Sequence, residues 1–132
     1  MSKNSCYTYF AIIGHFDPEA ASVLLGIAPD KIVKEGELLR NGRRSSESSL
    51  RLCTCDVYDV YTENQMRATV APLLDKVGIL NKLRAENEVS MYLEIVPSIS
   101  ADEPTPCLAP PSDVMEFCLA TRTEIDIDLY VI

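Results

Sequence analysis

Residues 7–13 read Tyr-Thr-Tyr-Phe-Ala-Ile-Ile, almost wholly apolar or aromatic on both alternating faces. Side chains alternate along a strand, so Phe10 and Ile12 point one way and Tyr7, Tyr9, Ala11 and Ile13 the other. A strand rich on both faces belongs in the middle of its sheet. Gly14 is expected to end it. Asp17 then stands where a side chain accepts from the free N–H groups of a helix start, and Pro18 suits the first helical position. Ala20, Val23, Leu24 and Ile27 form the apolar stripe predicted for that helix. Gly26 is its expected left-handed stop, and Pro29 prevents continuation.

Residues 31–39 are polar and broken by Gly36, as suits a short strand at a sheet edge. Asn41-Gly42 signals a turn, followed by Arg43, Arg44 and a Ser-rich run. Residues 50–55 alternate, with Leu50, Leu52 and Thr54 on one face and Arg51, Cys53 and Cys55 on the other. The two segments pair as a long hairpin. Thr62 with Gln65 makes a capping-box pattern. The helix after it carries Met66, Val70, Leu73, Leu74 and Val77, is interrupted at Pro72, and is divided from a second piece near Gly78.

Residues 89–96 form a half-buried strand, with Val89, Met91, Leu93 and Ile95 opposite Ser90, Tyr92 and Glu94. Pro97 is expected to close it. Residues 98–111 form a Pro- and Ser-rich loop long enough to be functional or mobile. A helix with Val114, Phe117, Cys118 and Thr121 on one stripe follows. The last strand sets Ile125, Ile127, Leu129 and Val131 inward and Asp126, Asp128 and Tyr130 outward.

The element order is β-α-β-β-α-β-α-β, and its first six elements match the ferredoxin-like motif. The expected fold is a single α+β domain over residues 1–132. It is a ferredoxin-like sheet extended by a C-terminal strand, in spatial order 5-4-1-3-2, with helices mainly on one face.

Several of these segments also carry a resemblance. Tyr9-Phe10 through Gly14, then Phe16-Asp17-Pro18-Glu19, Leu24-Leu25-Gly26-Ile27 and Pro29, resemble the start of the bacterial domain-of-unknown-function family 4279. Residues 124–130, Glu-Ile-Asp-Ile-Asp-Leu-Tyr, resemble its closing strand. Lys34-Glu35-Gly36-Glu37 and the helix-then-strand segment 62–96 fall between them in matching order. The chain departs where the resemblance implies a Trp near Leu50 and a Gly at Thr121-Arg122-Thr123. The resemblance implies the fold and carries no activity.

Length and composition narrow the picture. A chain of 132 residues can bury one real core. A net charge of −8 argues against nucleic acid, whose phosphates demand Lys and Arg, and permits a basic partner, solubility alone being its commonest meaning. No apolar run reaches the roughly 20 residues of a membrane helix. Nothing after Lys3 resembles a signal peptide, so a cytoplasmic protein with no membrane partner is expected. Five Cys, an odd number, read as reduced thiols, with Cys6 and Cys118 packed as small hydrophobes.

Helices on one face leave the other face of the sheet open. That face is expected to carry Tyr7, Tyr9, Arg51, Cys53 and Tyr92, with Glu94, Asp126, Asp128 and Tyr130 toward the last two strands. Tyr supplies contact area at low entropic cost, so Tyr7, Tyr9, Tyr92, Glu94, Asp126, Asp128 and Tyr130 are the partner-binding candidates. His15 beside Asp17 has the look of a base and its orienter, but Asp17 is better used as a helix cap. One Cys53-x-Cys55 pair and one His fall short of a zinc site. Asp126 and Asp128 alone are too few for a good divalent-cation site, and Glu94 joins them only if the last two strands are neighbours. Arg40, Arg43 and Arg44 mark a solvated hairpin tip.

No catalytic residue, metal or cofactor is therefore assigned. The expected function is a non-catalytic protein-interaction module with a basic protein partner, immunity-like in size and charge. The alternative is a small-ligand-binding or regulatory domain that forms a homodimer.

Overall fold

The computed structural model describes residues 3–132. Strand β1 (Ser5–His15) pairs antiparallel with β3 (Ser48–Cys55) on one side and β4 (Glu88–Ile99) on the other, the central place its two apolar faces require. β2 (Lys31–Val33) lies outside β3. β5 (Glu124–Ile127) runs parallel to β4, and β6 (Tyr130–Val131) continues along the same edge. The result is a mixed six-stranded sheet in the order β2-β3-β1-β4-β5, the expected order, in an α+β architecture.

Helices α1 (Pro18–Leu25), α2 (Glu63–Val70), α3 (Val77–Glu86) and α4 (Ser112–Thr121) cover one face. Phe10, Ile12, Leu50, Leu52, Met91, Leu93 and Ile95 meet Leu25, Met66, Leu80 and Phe117 in one core. Phe10 and Phe117 pack edge to face with centroids 6.2 Å apart. Pro72 interrupts the second helical segment as expected, giving a 3-10 stretch over Ala71–Lys76.

A polar seam fixes α2 against β1. The buried Thr8 hydroxyl donates to Gln65 Oε1 at 2.7 Å, and Gln65 Nε2 donates to the carbonyls of Cys6 and Val57. The Thr69 hydroxyl donates to the Thr8 carbonyl at 3.1 Å. Gln65 therefore does not serve a capping box. The Thr62 hydroxyl instead donates to the Cys107 carbonyl at 2.6 Å, and its side chain caps nothing.

Local rules are overridden in several places. β1 does not stop at Gly14 but runs on to His15. Gly14 has φ +151°, and a Cβ there would collide with the Glu88 carbonyl oxygen, so the close pairing of β1 with β4 requires glycine. The buried face of α1 is Pro18, Ala21, Ser22 and Leu25, while Val23 and Leu24 are exposed. The predicted stripe was out of phase because Ser22 is polar yet buried, its hydroxyl donating to the Ile27 carbonyl at 2.6 Å.

In β3, Leu52 pairs with Phe10 and Cys55 with Thr8, so the strand carries one extra residue. Cys53 takes φ +58° at this bulge. Alternation breaks there: Thr54 is exposed, and Cys53 packs against the core cluster and not on the open face where simple alternation had it. Cys55 now aligns with the inward-pointing Thr8.

Pro97 does not close β4. Its ring lies inside the strand opposite Cys6, and pairing to β1 continues through Ser98. What Pro97 lacks is the N–H for the other edge, and there β5 gives way to β6. The loop after β4 is tied down rather than loose. Asn4 Oδ1 accepts from the Ser100 N–H at 2.6 Å, Asn4 Nδ2 donates to the Pro104 carbonyl, and Cys107 forms a bridge with Tyr61. In the C-terminal segment only Ile125 packs on the core. Ile127, Leu129 and Val131 are exposed, because this edge extends past the helical cover.

Candidate functional site

The uncovered face of the sheet gathers the predicted residues. Tyr7 and Tyr9, two apart on β1, stack with centroids 6.0 Å apart and ring planes 15° apart. Tyr9 registers with Glu94, and Glu94 with Asp126. Tyr92 sits one step along, between Ala11 and Glu124. Tyr130 registers with Ser98, which pairs with Ser5 on the same side of β1 as Tyr7. Its hydroxyl donates to Asp128 Oδ2 at 3.0 Å.

Two cations complete the face: Arg51, expected there though not among the binding candidates, and Lys31, which was not expected. Arg51 places its guanidinium 3.9 Å from the Tyr9 ring centroid, a cation–π contact. Lys31 on β2 registers with Arg51, so one row across the sheet reads Lys31, Arg51, Ala11, Tyr92, Glu124. The small side chain of Ala11 leaves a hollow of about 120 Å³ bounded by Tyr9, Ile13, Lys31, Val33, Ser49 and Arg51. Charge is thus segregated by strand. β2 and β3 bring the cations, β1 the aromatic and apolar middle, β4 and β5 the carboxylates.

The electrostatics follow from this layout. Burial, a hydrogen bond to Asp126 and the negative charges of Asp126 and Asp128 push the Glu94 carboxyl up to about 7, with Arg51 opposing them. Glu94 is therefore part-protonated near neutrality. Burial also raises the Tyr9 phenol.

Other sequence candidates do not join this face. His15 Nδ1 lies 2.5 Å from Glu35 Oε1, and the bond to Glu35 raises the imidazole's pKa. Asp17 is spent as the α1 cap, its Oδ1 accepting from the Glu19 and Ala20 N–H groups at 3.1 Å. Arg44 of the basic hairpin donates to the Gly36 carbonyl. Cys6, Cys53 and Cys118 have thiols pushed up to about 11 by burial, which makes them poor nucleophiles.

The family model described as Domain of unknown function (DUF4279) matches residues 4–132. The chain belongs to the DUF4279 family. No curated protein and no solved structure matches it. The DUF4279 match takes in all six strands and begins at Asn4, whose side chain anchors the loop after β4. One departure noted in the sequence now has a location. Arg122 occupies the left-handed C-cap of α4 with φ 52°, a position that favours glycine. The Thr123 N–H closes that cap on the Cys118 carbonyl at 2.8 Å.

The signal for the missed half of the site was faint. Arg51 was legible as an outward residue, but its partnership with Lys31 depends on the β2–β3 register. That register continues the Leu38–Arg44 bridge of the hairpin turned at Asn41-Gly42, so the turn signal together with the expected hairpin pairing could have located it.

Proposed function

We propose that this DUF4279 chain acts as a protein-interaction module through the open face of its sheet, binding a partner that presents basic groups to the β4–β5 half. The observation that carries this reading is the concentration of Tyr7, Tyr9 and Tyr92 beside Glu94, Asp126 and Asp128 on a face no helix covers. Rigid aromatics with flanking charge suit recognition. The first six elements are read as ferredoxin-like, with β5 and β6 added beside β4. A reducing, cytoplasmic setting fits the five unpaired cysteines. An immunity-like role, in which the face masks a basic protein, fits the size and acidity of the chain by analogy of charge alone.

The test is affinity capture from lysate with wild type and with the Asp126→Lys/Asp128→Lys variant, circular dichroism confirming that both fold. The reading expects a basic protein held by wild type and released by the variant. Equal capture by both would remove the acidic half from the site. A second reading, a small-ligand or regulatory domain, draws on the hollow over Ala11, where Arg51 and Lys31 stand ready for an anion. It predicts a thermal shift with a small carboxylate that is lost in Arg51→Gln.

A further inference from the structure

We infer that the open face docks on a second copy of this chain, about a twofold axis running along β1. This rests on the interaction reading above and names its partner.

The sheet runs from cationic to anionic across its strands, with β1 in the middle. A face-to-face pair related by a twofold along β1 lays β3 over the partner's β4 and β2 over the partner's β5. Lys31 of each copy then faces Glu124 of the other, and the Arg51 guanidinium, which lies over Tyr9, faces Glu94. The alternative in-plane twofold, perpendicular to the strands, lays β2 over β2 and sets cation on cation. The charge pattern therefore selects one axis and is self-complementary about it, as an isologous interface requires. A copy is also a partner that offers basic groups to the acidic half.

The middle of the face suits dry packing. Tyr9, Ile13 and Tyr92 are half-buried in the single chain and surround Ala11, which is 5% exposed. Sheets that pack face to face keep their strands within about 30° and lie about 10 Å apart, room for interleaved Tyr rings. Under this twofold each row keeps its height, so β3 lies over β4 along its length while β2 and β5 meet only near Lys31 and Glu124. With strands about 4.8 Å apart and about 3.3 Å per residue, the overlap amounts to roughly 430 Å² per copy. Twice that lies below the roughly 1,200–2,000 Å² of standard stable interfaces, in the range of weak, concentration-dependent association. The net charge of −8 opposes association. Salt near 0.15 M screens it beyond about 8 Å, while the facing ion pairs lie closer than that.

The deciding experiment is sedimentation equilibrium at about 0.15 M salt on wild type and two charge-reversed variants, each checked by circular dichroism. Lys31→Glu/Arg51→Glu makes both halves of the face acidic, and Glu94→Lys/Glu124→Lys makes both basic. Wild type is expected to reach twice the chain mass, and each variant alone to dimerise at least about 10-fold more weakly. Mixed one to one, the variants are expected to recover the dimer, because acidic face then meets basic face. A wild type that stays monomeric to about 1 mM would overturn the inference. So would a dimer insensitive to both reversals, or a mixture that stays monomeric. A monomeric wild type that still captures a foreign basic protein would sink the self-docking inference and leave the interaction reading standing.

Discussion

The two faces of this sheet are made by the same strands and built for different ends. On the helix-covered face, Phe10, Leu52, Leu93 and Ile95 show no exposed surface, and the polar groups among them, Thr8 and Gln65, bond to each other. On the open face the residues one step away are Tyr9, Arg51, Tyr92 and Glu94, half-buried and aromatic or charged. The covered face holds the fold together by excluding water. The open face keeps its groups within reach of solvent and sorts them by charge. The stacked Tyr rings, the cation over one of them and the raised Glu94 carboxyl are the features on which the interaction reading rests.

The sharpest way to break the comparison is to truncate neighbours on β4 that point to opposite faces. Leu93→Ala should cost about 2–5 kcal/mol of unfolding free energy, through lost transfer energy and the cavity left behind. Tyr92→Ala, one residue earlier, should cost about 1 kcal/mol or less, since its ring meets solvent. Urea melts of the two variants measure both. Similar losses would mean that the open face is a second core.

A smaller effect comes from pH. Glu94 has its folded pKa raised to about 7 from an ordinary 4.5. Between those values the folded chain holds a proton that the unfolded chain has released. Its contribution to stability is therefore full below about pH 4.5 and lost as pH rises through about 7. Melting temperatures across that window should fall more steeply for wild type than for Glu94→Gln. Parallel slopes would mean that the carboxyl is not held in the protonated form by its surroundings.

Much of the architecture was legible in the sequence because it rests on local alternation and short-range signals. The two faces of β1 and β4, the Asp17 cap and the interruption at Pro72 come from such patterns, and the strand order follows from the element sequence and the crossover rule. What escaped was decided by tertiary context. Ser22 is buried because a carbonyl awaits its hydroxyl, so α1 turned out of the expected phase. Cys53 adopts a left-handed bulge without a glycine to announce it. Pro97 sits inside a strand because only its β5–β6 side lacks a donor. In the site, the acidic and aromatic half could be read from two strands with clean alternation. The cationic half needed the hairpin at Asn41-Gly42 to be carried back in register to Lys31 and Arg51.

The most direct test of a recognition face is fluorine NMR on chain labelled with 3-fluorotyrosine. Tyr7, Tyr9, Tyr92 and Tyr130 lie on the open face, while Tyr58 and Tyr61 lie in the connection before α2 and serve as internal controls. Raising the concentration from about 10 μM to about 1 mM, or adding a captured partner, should shift the open-face resonances and leave the two controls in place. Movement of Tyr58 and Tyr61 with the open-face signals unchanged would contradict the account and place recognition on the helical side.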